Sequence, residues 1–213
     1  MSLSGVLRFL FFAVIVRPTV YVILGLNIRH WERLPSTGPA VIVANHNSHL
    51  DTLVLMALLP IRALKRIRPV AAADYFLRNR VLAWFATQII GIIPISRTKA
   101  RSNPLAGCFD AIANGDIIIL FPEGSRGTSE EEMSEFKQGI RVIARKFPDV
   151  PIYPVYLHGL GKSLPKGEAL LVPFFCDVFV GMPLSYAASE EFMGDLRTAM
   201  NDLAEETDFP RWE

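Results

Sequence analysis

The chain has few cysteines and lacks the spacings that cysteine-based sites require. It contains two, Cys108 and Cys176, in 213 residues, with no CxxC motif and no evenly spaced set. A disulfide scaffold and a cysteine-ligated zinc site are therefore not expected, and a reducing intracellular environment is the simpler interpretation. An uninterrupted apolar stretch of about 20 residues, which a transmembrane helix needs, is also missing. Although 51% of the residues are hydrophobic, the pattern falls short of a polytopic membrane protein.

Acidic residues are scarce in the first half of the chain. Residues 1–101 contain three Asp or Glu against thirteen Lys or Arg, whereas residues 102–213 contain eighteen against nine. A basic half suits an anionic partner, either a phosphate-bearing lipid or membrane surface or a nucleic acid, and a solvated charged face is the alternative. Because an oily N-terminus adjoins the basic residues and no recognition-helix pattern is present, we expect a membrane surface and no nucleic acid.

The oily N-terminus covers residues 3–26, and Arg8, Arg17 and Pro18 interrupt it. The uncharged runs 9–16 and 18–28 are each too short to cross a bilayer. A break at Pro18 predicts two short helices in the membrane interface or in one leaflet, with a buried helix hairpin as the alternative. No small-x-small cleavage site follows, so a signal peptide is not expected. We predict a monotopic or peripheral protein at the cytoplasmic face, with residues 1–35 as membrane-associating helices.

Apolar runs alternate with amphipathic segments from residue 40 onward. We interpret as strands the runs 40–44, 67–73, 89–95, 116–121, 151–157 and 169–180, and as helices the segments 52–59, 77–88, 103–114, 133–147 and 190–205. This alternation predicts a single α/β domain with a largely parallel central sheet and helices on both faces. Sites in such sheets gather at the carboxyl ends of strands, so the loops 45–51, 96–101 and 122–128 are expected to converge if their strands are neighbours.

An imidazole and a carboxylate stand in the first of these loops, which reads Asn45-His46-Asn47-Ser48-His49-Leu50-Asp51. On a continuous helix a five-residue step turns by about 140°, so the pair can meet only if His46 lies on the loop and Asp51 in the first turn of the next helix. The carboxylate can then orient the ring while its other nitrogen takes a proton. A helix-terminus acid beside a surface histidine is the structural alternative. His49 adds an HxxH spacing, but a third ligand is missing and no metal is expected.

The second informative loop reads Phe121-Pro122-Glu123-Gly124-Ser125-Arg126-Gly127. A guanidinium at Arg126 can chelate a phosphate in two-pronged fashion, and Gly124 allows a close backbone approach. Glu123 either positions Arg126 or meets substrate hydroxyls. Arg97 ends another apolar run and would add a second phosphate contact, although an ordinary salt bridge is the alternative for it. The chain has no GxSxG motif, so a base–acid pair without an enzyme nucleophile indicates that a substrate hydroxyl attacks.

Taken in order, four segments resemble the motifs of the glycerolipid acyltransferase family, whose best-known members are 1-acylglycerol-3-phosphate (lysophosphatidate) acyltransferases. The family shows NHxSxxD, a Gly-Ile-x-Pro-Ile-x-Arg-like segment, FPEGTR with a downstream FKxG, and a Val-Pro-Ile-x-Pro-Val-like strand. The matching segments are Asn45–Asp51, Gly91–Arg97, Phe121–Arg126 with Phe136–Gly139, and Val150–Val155. Two positions depart from the family, because Ser125 replaces the commoner Thr and Gly127 replaces the common Ser. The matches cover roughly the central half of the chain.

The resemblance implies an O-acyltransferase of phospholipid biosynthesis. Such an enzyme moves a fatty acyl group from acyl-CoA or acyl carrier protein to the sn-2 hydroxyl of 1-acylglycerol-3-phosphate and gives phosphatidate, with no further cofactor. It implies His46 as the general base and Asp51 as its orienting acid, within an acyltransferase domain at residues 36–213. The substrate-binding residues that it implies are Arg97, Glu123, Gly124, Ser125, Arg126 and Lys137.

Three alternatives stay open at the level of sequence. Another acceptor, such as glycerol-3-phosphate, a lyso-aminolipid or a lyso-ornithine-type lipid, would use the same chemistry. A non-catalytic lipid-binding module would explain the oily N-terminus and the basic half, but it gives no reason for the spacing of His46 and Asp51. A thioesterase that uses water as the acceptor would not need the phosphate-binding arginines Arg97 and Arg126.

Overall fold

The structure is a computed structural model that describes residues 2–48, 50–96, 103–125, 133–163 and 175–206. Within these ranges the strands are β1 (Gly25–Arg29), β2 (Ala40–Ala44), β3 (Ile67–Ala72), β4 (Ile93–Ile95), β5 (Ile117–Leu120), β6 (Ile152–His158) and β7 (Phe175–Val180). The helices are α1 (Leu3–Ile23), α2 (Leu50–Leu58), α3 (Ala73–Phe76), α4 (Arg80–Ile90), α5 (Ala106–Ala113), α6 (Gly139–Lys146), α7 (Leu160–Ser163) and α8 (Phe192–Glu205).

All of these strands belong to one sheet with the order β1-β7-β6-β2-β5-β3-β4. Each neighbouring pair is parallel except β6 and β7, which are antiparallel. In β2, Ile42 packs into the core on one side of the sheet and Val43 into the core on the other. This alternation buries the whole strand, which is why its sequence is continuously apolar. The predicted α/β fold, with a largely parallel sheet and helices on both faces, is confirmed.

The order of the strands brings two of the three predicted loops together. Strands β2 and β5 are direct neighbours, with Val43 opposite Leu120, so the loops that follow them leave the sheet side by side. Strand β4 lies at the edge of the sheet, separated from β5 by β3. Residues 97–102, which follow β4, lie outside the described part of the chain.

Helix α1 does not break at Pro18, so the prediction of two short N-terminal helices is wrong. The helix widens instead, because the N–H of Arg17 donates to the carbonyl of Phe12, five residues earlier. Such a wide turn accommodates a residue that has no N–H of its own. The Thr19 hydroxyl donates to the Ile15 carbonyl at 2.8 Å, which satisfies a further backbone acceptor near the proline.

The two faces of α1 have different environments. Phe12, Val16 and Val20 pack into the core beside α2, whereas Val14 and Val22 are 65% and 81% exposed. Among the described helices, α1 alone has the length and apolar composition to cross a bilayer, a test that core helices and N-terminal signal sequences also pass. The prediction that the apolar runs are too short therefore does not apply to the continuous helix.

Both arginines of α1 turn inward and bond to the domain. Arg8 is buried and donates to the Ile67 carbonyl at the start of β3, at 2.8 Å, and Arg17 donates to the Leu59 carbonyl after α2, at 2.6 Å. Residues 25–29, which were predicted to belong to the helical N-terminal segment, instead form strand β1 and pair with β7. The sheet therefore begins before residue 36, inside the segment predicted to be membrane-associating helices.

The predicted helix at 133–147 is correct only in its second half. Helix α6 begins at Gly139, and its buried residues Ile140, Ile143 and Ala144 pack on the sheet as the apolar pattern predicts. Residues 133–138 are neither helix nor strand. Bonds to distant parts of the chain hold this segment in place, and a helical pattern cannot reveal them.

Candidate active site

Asn45 fixes the point where the chain leaves β2. Its buried side-chain amide donates to the Leu157 carbonyl at 2.8 Å, and the Leu157 N–H donates back to its Oδ1 at 2.7 Å. The backbone pairing of β2 with β6 ends one residue earlier, at Ala44 and Val155. The asparagine side chain therefore continues the hydrogen bonding of the sheet into the loop, and it sets the direction in which His46 follows.

His46 and Asp51 meet as the sequence predicts. Helix α2 begins at Leu50, so Asp51 lies in its first turn, and the Asp51 Oδ2 is 2.9 Å from the His46 Nδ1. The same oxygen accepts the backbone N–H groups of Asn47 at 2.7 Å and Ser48 at 2.8 Å. Because an ionised carboxylate only accepts, Nδ1 carries the proton of a neutral ring and Nε2 is the nitrogen that can take one up.

The environments of the two partners differ in the way a base and its orienting acid require. The Asp51 side chain is fully buried, whereas the His46 side chain is 20% exposed and can reach a substrate. The Phe121 ring stacks on the imidazole, with centroids 4.2 Å apart and planes 21° from parallel. The position of the His46 ring is therefore fixed in three ways. Asp51 holds one ring edge, Phe121 covers one face, and the loop backbone fixes the Cα of His46.

Glu123 ties the two loops together through backbone groups. It is 3% exposed, its Oε1 accepts the His46 N–H at 3.1 Å, and its Oε2 accepts the Ser134 N–H at 3.0 Å. Both carboxylate oxygens are therefore used within the protein. This geometry favours a role in holding the loops over the predicted contact between Glu123 and substrate hydroxyls.

Gly124 and Lys137 lie against each other at the base of the second loop. Gly124 has a φ of +71°, and a Cβ built on it would lie 2.5 Å from the Lys137 Nζ. The Lys137 N–H donates to the Pro122 carbonyl at 2.9 Å, which closes the loop between residues 122 and 137. The glycine is thus needed for its left-handed backbone and for the approach of the lysine, and the structure brings both predicted residues together.

The remaining predicted residues are placed only in part. Ser125 is exposed and follows Gly124 directly, whereas Arg97, Arg126 and Gly127 lie outside the described residues. In the described ranges, which also omit His49, no group of three His, Cys, Asp or Glu side chains could hold a metal ion.

Sequence analysis missed four contributors to this site. Asn45 and Phe121 stand inside the motifs that were singled out, and a buried asparagine at a strand end and an aromatic residue before the Pro-Glu-Gly turn could have been recognised as supports. Ser134 and Arg197 gave no signal, because their contacts join segments that are far apart in the chain.

Comparison with known proteins agrees with this geometry. Residues 25–158, which include strands β1 to β6 and both loops, match the model of the family described as Acyltransferase. The chain belongs to the acyltransferase family. Strand β7 and helices α7 and α8 of this family member lie beyond the matched residues.

Several proteins with similar sequences are named 1-acyl-sn-glycerol-3-phosphate acyltransferase. The chain is 29% identical over 184 residues to a chloroplastic protein of Arabidopsis thaliana, covering 84% of this chain and 49% of that protein. It is 30% identical over 191 residues to a chloroplastic protein of Brassica napus, covering 88% and 52%. The chain therefore spans about half the length of these curated relatives.

A solved structure has the same fold. The crystal structure of the 1-acyl-sn-glycerophosphate (LPA) acyltransferase PlsC from Thermotoga maritima aligns with a TM-score of 0.74 over 100% of this chain and 86% of that one. Sequence identity in this alignment is 18%, so the comparison supports the architecture and not the substrate.

Proposed function

We propose that this acyltransferase moves a fatty acyl group from a thioester donor to the sn-2 hydroxyl of a lysophospholipid, with 1-acylglycerol-3-phosphate as the first candidate acceptor. The observation that carries the proposal is the 2.9 Å contact between a partly exposed His46 and a fully buried Asp51 at the end of the central strand β2. The names of the relatives support the acceptor.

The chemistry follows from the orientation of the His46 ring. Nε2 removes the proton of the acceptor hydroxyl as its oxygen attacks the thioester carbonyl carbon. The carbon–sulfur bond then breaks, and the imidazolium returns the proton to the leaving thiolate, so that the products are an ester and a free thiol. Asp51 stabilises the imidazolium between these steps. A positioned general base of this kind contributes about 10²- to 10⁴-fold in rate.

We assign the acceptor phosphate to Arg126 and Arg97, as the family motifs imply. The support from the described residues is that the Lys137 N–H bonds to the Pro122 carbonyl and that the Lys137 ammonium lies beside Gly124, two residues before Arg126 in the sequence. Arg126→Ala should raise KM for a phosphorylated acceptor by about tenfold to a hundredfold. Arg126→Lys should rescue KM only in part, since an ammonium cannot reproduce two parallel hydrogen bonds. Equal impairment with a phosphate-free acceptor would instead assign Arg126 to the scaffold.

We further propose that the outer face of α1 holds the protein at the cytoplasmic face of a membrane. This face carries exposed Val14 and Val22, and Cys108 and Cys176 are buried and not joined in a disulfide, which suits a reducing compartment. The double variant Val14→Glu/Val22→Glu should stop sedimenting with liposomes. Met182→Glu is a matched control, because Met182 is equally exposed on a loop after β7. Unchanged sedimentation of the double variant would place the membrane contact elsewhere.

One experiment separates the proposed activity from its rivals. The full chain is offered 1-acylglycerol-3-phosphate, glycerol-3-phosphate and a lyso-aminolipid, each with an acyl-CoA and with an acyl carrier protein. Transfer to the first acceptor supports the proposal, and transfer only to another acceptor corrects the substrate. Thioester cleavage without ester formation would indicate a thioesterase. Lipid binding by folded protein with neither product would indicate a non-catalytic module.

A further inference from the structure

Arg197 on helix α8 reaches the return arm of the second loop. Its Nη1 donates to the Ser134 carbonyl at 2.7 Å, and its Nη2 donates to the Met133 carbonyl at 2.9 Å. The guanidinium carbon also lies 4.8 Å from the centre of the Phe136 ring. One side chain thus contacts three residues within the segment 133–136, namely Met133, Ser134 and Phe136, through both the fork geometry and the flat face of arginine.

The segment that Arg197 holds is the one that bonds to Glu123. The Met133 carbonyl accepts from Arg197, while the Ser134 N–H of the same peptide group donates to the Glu123 Oε2 at 3.0 Å. The other oxygen of Glu123 accepts the backbone N–H of His46. A continuous series of hydrogen bonds therefore joins the C-terminal helix to the backbone of the proposed base, through one peptide group and one buried carboxylate.

We propose that Arg197 is a positioning residue for acyl transfer. It holds residues 133–136 so that Glu123 keeps its bond to His46 and the adjacent Lys137 keeps its place beside Gly124. Residues 133–138 are neither helix nor strand, so these contacts replace the regular backbone bonds that would otherwise hold the segment. The inference rests on the proposed function only for its kinetic consequence, because the hydrogen bond from Arg197 to Ser134 is a property of the folded chain.

A simpler role for Arg197 is to fasten α8 to the domain. The two roles predict different results. Fastening of α8 lowers stability and impairs the reaction with all substrates alike, whereas positioning of residues 133–137, which include the predicted substrate-binding residue Lys137, changes acceptor binding selectively. Arg197→Met keeps the length and apolar stem of the side chain and removes its five donors. Arg197→Lys keeps the charge and can satisfy one carbonyl, but it loses the fork. Arg145→Met on α6 is the matched control, because exposed Arg145 makes no hydrogen bond or ion pair with any described residue.

The first measurement is amide hydrogen exchange at Ser134, resolved by NMR in the full chain, and it does not depend on activity. We expect exchange at Ser134 to accelerate about tenfold or more in Arg197→Met, by less in Arg197→Lys and not at all in Arg145→Met. Unchanged exchange at Ser134 in Arg197→Met would overturn the inference. If Arg197→Met does not fold, Arg197→Lys gives the same comparison with a smaller change.

The second measurement is steady-state kinetics with the acceptor and the thioester donor varied separately. Arg197→Met should raise KM for the phosphorylated acceptor about tenfold and leave KM for the donor unchanged, with partial rescue in Arg197→Lys. Equal changes for both substrates, accompanied by a lower Tm, would reduce Arg197 to an anchor of α8. A wild-type chain without acyl transfer would contradict the proposed function and leave the exchange result to decide the role of Arg197.

Discussion

The two loops of the site are held in different ways, although they leave neighbouring strands. In the first loop, Asp51 bonds to three residues, His46, Asn47 and Ser48, that precede it by three to five positions. In the second loop, Glu123 bonds to residues 77 positions before it and 11 positions after it, and Arg197 bonds to carbonyls more than 60 positions away. The His46–Asp51 pair is thus oriented by bonds within its own loop, whereas the second loop is held by residues that are distant in the chain.

The largest effect should come from the first loop. His46→Ala should lower kcat by about 10²- to 10⁴-fold. Tm should stay close to that of the wild type, because the partly exposed ring contributes more to the chemistry than to the packing of the core. Turnover and Tm are measured on the same preparation. His30→Asn is the control, since His30 pairs with Glu206 and belongs to neither loop. Wild-type turnover in a folded His46→Ala protein would contradict the assignment of the base.

Asp51→Asn should lower kcat by less than His46→Ala does. The amide keeps one acceptor oxygen for the imidazole and the two backbone N–H groups, but it has no charge to stabilise the imidazolium. Hydrogen bonds to charged groups contribute about 1.5–3 kcal/mol, which corresponds to a fall in kcat of about tenfold to a hundredfold. A loss as large as that of His46→Ala would show that the carboxylate does more than orient and stabilise the ring.

Glu123→Gln tests whether the two loops depend on each other. A glutamine has one acceptor oxygen, so either the His46 N–H or the Ser134 N–H loses its partner. We expect kcat to fall by about tenfold and Tm to fall by several degrees, since an unsatisfied buried donor costs about 1–3 kcal/mol. In a double-mutant cycle with Arg197→Met, the loss of kcat/KM for the acceptor should be smaller than the sum of the losses in the two single variants. Additive losses would mean that Arg197 and Glu123 act independently.

The smallest effect should come from Gly124→Ala. The new methyl group would meet the Lys137 side chain, and a φ of +71° costs a residue with a Cβ about 1–2 kcal/mol. Tm should therefore fall by about 2–8 °C, with a minor change in kcat. In a Lys137→Ala background the steric part disappears and the backbone part remains, so the destabilisation should shrink without vanishing. An unchanged destabilisation would show that the lysine moves aside freely.

The contrast between the loops explains how much could be predicted from the sequence. Strands β2 and β5 were predictable, because burial on both faces of a sheet requires continuous apolar runs. The contact between His46 and Asp51 was predictable as well, because the spacing of the pair requires a helix that begins just before Asp51. The helix predicted at 133–147 was wrong in its first turns, because Phe136 serves a contact with Arg197 and not a helix face. A contact of that kind depends on which elements the fold brings together. Contacts of Arg97 and Arg126 with the acceptor stay predictions.

The N-terminal helix shows a similar limit. Pro18 was expected to end a helix, and a wider helical turn absorbed it, because the Thr19 hydroxyl and the i→i−5 bond supply alternatives that composition does not reveal. The direction in which Arg8 and Arg17 point was equally hidden, since their acceptors belong to residues about forty to sixty positions later.

The inward arginines of α1 have a consequence for the order of assembly. An isolated α1 would bring two guanidinium groups into a bilayer, each at a cost of about 2.5–3.5 kcal/mol at the centre of a helix. In the folded chain the carbonyls of Ile67 and Leu59 accept those donors, and only the apolar side faces outward. Docking on the sheet therefore converts a segment that is poorly suited to lipid into one that is well suited. For the proposed attachment to a lipid surface, folding of the domain should therefore come first, and an unfolded chain should be retained there less well than a folded one.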